Sequence, residues 1–529
     1  MTDHFDNPSR AGLAAASSMA GLAVTLLAGI ALAACGATAP PRPAVHRSEA
    51  AAGGQSAESS SPGMQQLDDD LQQMDEKARA KARALQAEIR ASSFKSLPGD
   101  AQFQTLKRAA KVSDAVGDTR LAYGYLERAI AMPEAGFDDR LAQVRMAVNL
   151  HREDDVIGGL TVIAERWPEQ LPKVDSDFIS RTIYESDRRT HAAAFPLLQA
   201  LYGAHWKVKW GFEPSAAWRD LSLFLLERGR TAEAADVAAH VTDVYVLIAM
   251  RADRRFDAVV AAGSAHFDID AAAEREVRDY QEASDRTPKS LQLEVDAIEA
   301  LRIQQHYAAM LAASDAVLQQ IRSTNSPEEL FDDYGDYYSA FLEDRAVALE
   351  GMSRWDEALE QMIAASRRFE KGTGNVSQLI DLGNLYCDLG RPKDALVALA
   401  SMVADASPYG NMVEQGVRVD AATQMGDVKR AGRLLEAMRA RRGDAPFEYL
   451  SALIAADQPD RAARYLVELL MDPIERQEAL QGVQTYLDAP STPRQLELEA
   501  RWHAVIARQD VQAAVRKVGR IDAYRVVGS

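Results

Sequence analysis

Cysteine is almost absent from this chain, with only Cys35 and Cys387 among 529 residues. Two thiols cannot build a disulfide framework or a multi-thiol metal site, so both are excluded. Basic residues are also in the minority, with 60 Lys and Arg against 78 Asp and Glu and a formal charge of −18. A surface of that sign repels phosphate backbones, so nucleic-acid binding is not expected.

Signals for β-strands are scarce as well. The sequence has no sustained alternation of apolar and polar residues and no Asn-Gly or Asp-Gly turn between β-branched segments. Its 47% apolar and 26% charged residues are ordinary for a globular protein. Helix-length apolar periodicities joined by short turns fill the chain from about residue 101 onward. The sequence therefore predicts an all-α protein.

Residues 11–34 are almost all apolar or small, and they end in Leu-Ala-Ala before Cys35 and Gly36. This segment resembles the lipobox signal of bacterial lipoproteins. The resemblance implies that residues 1–34 are a signal peptide removed before Cys35, which then carries lipid. Several acyl chains on one residue anchor a protein stably, whereas one chain would be marginal. Gly36 after the cysteine implies the outer membrane, with the protein facing the periplasm.

The leader departs from that pattern in its charge, because its only cation, Arg10, is opposed by Asp3 and Asp6. An uncleaved N-terminal anchor therefore remains the alternative. Residues 35–63 comprise the lipidated cysteine and a segment rich in Pro, Ala, Ser and Gly. That composition buries little and predicts a disordered tether.

Residues 64–95 predict an N-terminal helix with a narrow apolar seam. Such a seam fits either a short coiled coil or packing onto the next helices. Lys81 occupies a seam position and the pattern lasts barely three heptads, which favours packing. The oligomeric state stays open.

Internal repeats are the strongest signal in the chain. Similar units of two helices joined by a short turn lie around Trp218–Ala234, Leu349–Ala358 and Leu379–Ala395. They resemble the tetratricopeptide repeat family, whose unit is a helix pair of about 34 residues. A small residue opens the second helix of each unit, because two helices approach closely only where a side chain is small. We place these residues at Ala122, Gly158, Ala234, Ala358, Ala395, Ala431 and Ala462.

The resemblance implies a superhelical solenoid of stacked antiparallel hairpins over residues 101–488, with capping helices at 492–519. It also implies a groove that is lined by the first helix of each unit and binds peptides or folded proteins without catalysis. The candidate groove positions transferred from the family are Arg219, Leu223, Glu343, Val347, Asn384, Asp388 and Asp420. Ile380 stands where the carboxylate-clamping version has Lys, which argues against capture of a C-terminal carboxylate. The acid-leaning lining favours a partner with some basic character.

Two aromatic segments are further candidates for recognition. The basic one, His205–Trp210, interleaves Trp206 and Trp210 with two lysines, and this pattern favours a binding patch. The acidic one, Phe331–Tyr338, fits equally well a binding patch or a loop whose rings fill the adjacent core.

Motifs for catalysis, cofactors and metals are missing from the sequence: it has no H-E-x-x-H, no phosphate-binding Gly-rich loop and no G-x-S-x-G. Ser92–Lys95, Ser323–Asn325 and Lys371–Gly374 loosely echo three motifs of penicillin-binding enzymes. Repeat helices occupy the sequence between them, where that fold needs a sheet, so we interpret them as coincidence. Cys387 lies in a repeat helix, so we expect its thiol to be partly buried and to have no redox role.

These observations lead to one main functional expectation. We expect a non-catalytic, lipid-anchored scaffold that binds envelope or secreted proteins in the periplasm. The alternative is a glycan-binding or regulatory module for a cell-wall or polysaccharide enzyme, which would use the aromatic segments to stack on sugars. The sequence does not identify the partner.

Overall fold

A computed structural model describes residues 62–190, 192–260, 264–368, 374–402 and 406–528. Cys35, the leader and the tether up to residue 61 lie outside the described residues, so their lipidation, cleavage and disorder stay predictions. The last two residues of the predicted tether, Pro62 and Gly63, instead begin the first helix. The chain divides into two compact units. The N-terminal unit comprises the described residues up to Ser186 together with 192–206, and the C-terminal unit comprises residues 187–190 and those from Lys207 onward.

The N-terminal unit contains the first seven helices of the described chain. They are α1 (Pro62–Arg90), α2 (Gly99–Ala115), α3 (Thr119–Ile130), α4 (Phe137–Asn149), α5 (Glu153–Arg166), α6 (Ser176–Arg189) and α7 (Phe195–Gly203). A 3₁₀ turn at Ser92–Ser96 connects α1 to α2. Leu85 and Ile89 of α1 are buried in one cluster with Phe103 and Leu106 of α2. The C-terminal half of α1 therefore packs onto the next helix, which was the favoured of the two alternatives.

The C-terminal unit contains eighteen further helices among its described residues. Its first nine are α8 (Ser215–Glu227), α9 (Thr231–Ala238), α10 (Val244–Ala252), α11 (Ile269–Arg286), α12 (Leu291–Ala300), α13 (Tyr307–Arg322), α14 (Pro327–Leu330), α15 (Tyr334–Glu350) and α16 (Trp355–Ser366). The rest are α17 (Ser377–Asp388), α18 (Pro392–Ala400), α19 (Pro408–Gln424), α20 (Val428–Ala440), α21 (Pro446–Ala455), α22 (Pro459–Met471), α23 (Arg476–Gly482), α24 (Pro493–Ile506) and α25 (Gln509–Val518).

Pairs of consecutive helices form hairpins throughout both units. Consecutive helices that pack as hairpins are α2/α3, α4/α5, α8/α9, α15/α16, α17/α18, α19/α20 and α21/α22. Helices α10–α13 pack in succession, with the closest pairing between α11 and α12. The first helices of successive pairs also contact each other: α17 contacts α19, and α19 contacts α21. Each hairpin thus covers the apolar face of its neighbour. The described residues contain no β-strand, only two isolated bridges. The predicted all-α class of stacked, tetratricopeptide-like hairpins is confirmed.

The hairpin α17/α18 shows why the sequence folds in this way. Gly390 ends α17 with φ +69°, a left-handed conformation that glycine adopts without steric cost. Pro392 then starts α18 at a position where its missing N–H is not needed. Ala395 is completely buried where α18 meets α17, so a larger side chain there would separate the helices.

The predicted small residues behave in the same way with one exception. Ala122, Ala234, Ala358, Ala395, Ala431 and Ala462 are all buried. Gly158, however, is exposed, and the buried contact belongs to Gly159, where a Cβ atom would overlap the side chain of Val144. The prediction at Gly158 was wrong by one residue, because two adjacent glycines offer the same composition and only packing distinguishes them.

None of the described helices is both long enough and apolar enough to cross a membrane.

Candidate functional site: the inner face of the C-terminal unit

Three predicted groove residues meet on one surface, formed by α17, α19 and α21, which α24 covers by contacting α17 and α21 directly. We call this surface the inner face. Asn384 and Asp388 of α17, Asp420 of α19 and Glu448 of α21 line a cavity of about 50 Å³ there, and Leu498 of α24 lines it as well. The cavity has room for small groups only, because α24 fills most of the space that a partner would need.

The first turn of α24 bonds directly to two of the predicted positions. The guanidinium of Arg494 pairs with the Asp420 carboxylate and also donates to the carbonyl oxygen of Ala455, 3.2 Å away. Gln495 donates from its side-chain amide to the Asp388 carboxyl at 2.8 Å. The inner face therefore already binds a helix, and that helix belongs to the same chain.

Local sequence explains why α24 begins at this point. Thr492 and Gln495 form a capping box, in which the Thr492 hydroxyl accepts from the Gln495 amide and the Gln495 side chain accepts from the Thr492 amide. Pro493 occupies the first helical position. Because the Gln495 oxygen closes the cap, its amide nitrogen remains available for Asp388. One side chain thus starts the helix and docks it.

Carboxyl groups accumulate at this site, and burial weakens their acidity. Burial, followed by the nearby Asp420 charge, raises the pKa of Asp388 to about 8. Burial also raises the pKa of Glu448 to about 7. The pKa of Glu350 lies well above its usual range because of burial first and Asp388 second. Within the described chain, neither Glu350 carboxyl oxygen has a hydrogen-bond partner. Asp388 and Glu350 are therefore held largely as neutral acids near pH 7, whereas Glu448 is about half protonated there.

The positive charge of Arg494 compensates the negative charge of the buried Asp420 carboxylate. Burial raises its pKa, and the Arg494 charge opposes that rise. A second hydrogen bond comes from the Gln424 side-chain amide, 3.0 Å away. The Asp420–Arg494 pair is therefore buried and charged, and removing either partner would leave an uncompensated charge.

A second set of contacts joins the end of the chain to earlier helices of the same unit. The Tyr245 hydroxyl of α10 donates to the carbonyl oxygen of Val527 at 3.1 Å. The Val527 amide in turn donates to the carbonyl oxygen of Ile303 at 2.9 Å. Gly519 fits so closely against the Ala252 carbonyl that an added Cβ atom would overlap it. The C-terminal tail thus contacts α10 and the turn that follows α12.

The closing helices consequently do more than the predicted capping of residues 492–519. Helix α25 packs on α22 of the last hairpin, as a cap would. Helix α24 instead reaches along the inner face as far as α17.

The other four predicted groove residues lie in the interior. Arg219, Leu223, Glu343 and Val347 are at most 7% exposed. Arg219 is paired with Asp220 at 2.8 Å, and Glu343 accepts from the Gln378 amide at 3.0 Å. The transferred pattern identified residues of first helices but not which of them would be accessible.

The basic aromatic segment is largely engaged within the protein. Trp206 is only 4% exposed and is a core residue. Trp210 is half-buried, and the Lys209 ammonium lies 4.1 Å from its ring centroid while donating to Gln292. Lys207 is paired with Glu213. The favoured interpretation of this segment as a binding patch is therefore not supported at Trp206.

The acidic aromatic segment also packs inward. Phe331 is 2% exposed, and Tyr334 stacks on Tyr338 with ring centroids 4.7 Å apart. Asp333 accepts hydrogen bonds from the Ser290 hydroxyl and the Leu291 amide, and so caps α12 from a distant part of the sequence. Of the two alternatives for this segment, the structure shows the second, in which its aromatic rings pack into the adjacent core.

Cys387 is more deeply buried than predicted, at 2% exposure. Burial first and the neighbouring Asp420 charge second raise the pKa of its thiol well above the usual range. Among the described residues, no group of three or more His, Cys, Asp or Glu side chains is arranged to hold a metal ion.

Sequence reasoning missed Arg494 and Gln495, although a signal for Arg494 was present. A cation in the first turn of a helix opposes the helix dipole, so Arg494 directly after Pro493 is an unfavourable choice for an exposed helix. Such a residue indicates a nearby carboxylate that compensates for it.

Comparisons with known proteins add little to this description. No protein-family model matches the chain, and no curated protein matches its sequence. Among solved structures, the APC/C hetero-tetramer Cut9-Hcn1 is 12% identical, with 84% of this chain and 81% of that chain covered and a TM-score of 0.27. Yeast Tom70 is 11% identical, with coverages of 79% and 100% and a TM-score of 0.21. The fold assignment above depends on the helix pairs of this chain itself.

Proposed function

We propose that this protein is a non-catalytic scaffold that binds protein partners and is held at the bacterial outer membrane, facing the periplasm, by lipid on Cys35. Its partners are envelope or secreted proteins. The described repeats form the binding part, and residues 36–63 connect them to the lipid anchor.

The observation that carries the binding proposal is the contact between α24 and the inner face. Stacked hairpins repeat chemically similar groups at regular intervals, as Asp388 and Asp420 do on α17 and α19. Helix α24 is held there by side chains from its first turn. An architecture that docks its own helix in this way is suited to docking helices or peptides of other proteins.

The anchor proposal depends on sequence alone. Leu32, Ala33 and Ala34 before Cys35 have the size and polarity that the lipoprotein signal requires, and Gly36 supports the outer membrane. A lipidated cysteine followed by a segment rich in Pro, Ser and Gly would keep the repeats near the membrane surface.

Glycan binding is the alternative function, and the structure gives it less support. Sugar stacking needs accessible aromatic faces, whereas Trp206 and Phe331 are buried. Tyr334 and Tyr338 stack on each other. We therefore retain protein binding as the proposal.

Two experiments test the two parts of the proposal. Replacement of Cys35 by Ser should move the protein from the membrane fraction to the soluble fraction, while Cys387→Ala, which also removes a thiol, should leave it on membranes. Retention of Cys35→Ser on membranes would favour the uncleaved anchor instead. For binding, crosslinking in intact cells should yield a defined protein adduct. Retention on purified polysaccharide without any protein adduct would favour the glycan-binding alternative.

A further inference from the structure

The inner face of the C-terminal unit is occupied by α24, so a partner of this unit needs another surface. One groove with suitable dimensions lies between the second helices α16 and α18, with α17 beneath them. Its volume of about 470 Å³ falls in the range of about 300–1,000 Å³ that is typical of ligand sites. We call it the outer groove.

About half of the side chains that line the outer groove are apolar. Leu379, Leu382 and Tyr386 of α17 contribute to it, together with Ile363 of α16. Val397 of α18 also lines the groove and is 70% exposed. A large aliphatic side chain left this open beside a concave apolar surface marks a place where another apolar group can be buried.

Charge distinguishes the two ends of this groove. At one end, Arg367 and Arg368 are both exposed, and no acidic side chain in the described part of the chain forms an ion pair with either. Arg368 lies 5.1 Å from the Tyr338 ring centroid, which orients its guanidinium. At the other end, Asp394 is paired with Arg391 at 2.7 Å and is neutralised. Counted over the described residues, this end of the groove is therefore positive, although the whole chain carries a charge of −18.

We propose that the outer groove binds a peptide segment of a protein partner in which apolar side chains are followed by Asp or Glu. The apolar side chains pack against Leu379, Leu382 and Val397, and the carboxylates pair with Arg367 and Arg368. This inference rests on the proposed scaffold function and gives the chemistry of one partner. The partner segment is acidic, whereas the acid-leaning inner face favours a basic partner.

The test measures binding of two short labelled peptides to the purified full-length chain in detergent. One peptide alternates Leu and Tyr with Asp and Glu, and the other replaces the acids with Lys and Arg. We expect the acidic peptide to bind more tightly, and its affinity to fall as salt is added, because salt screens the arginines. Arg367→Glu and Val397→Glu should each weaken binding about ten-fold or more, which corresponds to about 1.4 kcal/mol.

Val428→Glu is the matched control, because Val428 is 78% exposed and does not line the groove. It should leave the affinity unchanged. Equal binding of both peptides, absence of binding, or equal effects of Val397→Glu and Val428→Glu would overturn the inference. Crosslinking in cells with the Val397→Glu variant distinguishes a wrong docking site from a wrong scaffold function. A protein adduct that persists in the variant shows that the protein is a scaffold with a different docking site. If neither the wild-type chain nor the variant gives an adduct, the proposed scaffold function is wrong.

Discussion

Gln495 donates a hydrogen bond of 2.8 Å to the Asp388 carboxyl, although 107 residues separate them in the sequence. This contact joins α24 to α17, and the Arg494–Asp420 pair beside it joins α24 to α19. A repeat surface that would be an open groove in isolation is thereby closed by the end of its own chain. The stability of the C-terminal unit therefore depends in part on the contact between α24 and the inner face.

Arg494→Ala tests the buried pair. Loss of the guanidinium leaves Asp420 buried without a compensating charge, and we expect the free energy of unfolding of the C-terminal unit to fall by about 3–5 kcal/mol. Denaturation by urea measures this change. Arg508→Ala is the control, because Arg508 pairs with Asp460 at the surface and its loss should have little effect. Equal effects of the two substitutions would show that the buried pair contributes no more than an exposed one.

The stability of the unit should fall as pH rises from about 4 to about 8. Asp388 keeps its proton in the folded state up to a pKa of about 8, whereas its ordinary value is 3.8, so folding is favoured most where both states are protonated. Each such group changes the free energy of unfolding by at most about 1.4 kcal/mol per pH unit. Glu448, with a pKa of about 7, acts in the same direction.

Asp388→Asn should remove the Asp388 part of this pH dependence, because Asn imitates the neutral acid and still accepts from Gln495. Urea denaturation at a series of pH values measures it. Asp460→Asn is the control at an exposed position and should keep the wild-type slope. A slope that Asp388→Asn does not change would mean that Asp388 is ionised in the folded protein.

Ala395→Leu tests the hairpin register. Ala395 is completely buried between α17 and α18, so the added carbon atoms overpack the pair and should cost about 1–3 kcal/mol. The measurement is the melting temperature. Ala400→Leu, on an exposed position of the same helix, should leave it nearly unchanged. An unaltered melting temperature for Ala395→Leu would refute the register.

Gly519→Ala tests the docking of the C-terminal tail. A Cβ atom at Gly519 would overlap the Ala252 carbonyl and the Leu480 side chain, so the tail should lift from α10. Limited proteolysis should then cleave near the end of the chain faster than in the wild type. Gly443→Ala, where nothing lies within 4 Å of the new atom, should keep the wild-type rate. Equal cleavage in both variants would show that the tail is not held at Gly519.

Much of the fold follows from local sequence. Helix periodicity and the regularly spaced alanines predict hairpins such as α17/α18, because each hairpin is a local unit closed by a short turn. The adjacent glycines Gly158 and Gly159 mark the limit of that reasoning. Composition locates a close approach of two helices to within one residue, and only packing selects the residue that makes it.

The site was less predictable because its contacts are not local. Asn384, Asp388 and Asp420 follow from the repeat pattern, but nothing local to them indicates that α24 covers them. Burial of Glu343 and Val347 similarly depends on neighbouring hairpins. The outer groove combines residues of three helices, and its charge depends on which of its arginines form ion pairs within the described part of the chain. Arg391, which has a partner, and Arg367 look alike in sequence.

The inner face of the C-terminal unit is filled by α24 of the same chain. A double-mutant cycle on Arg494 and Asp420 tests it most directly, with Arg494→Ala, Asp420→Ala and both together. The readout is the opening free energy from hydrogen exchange of the α24 amides. Contact between the two predicts a coupling energy of about 1.5 kcal/mol or more. A coupling energy of zero would show that α24 does not lie on α19, and the inner face would then be free for a partner.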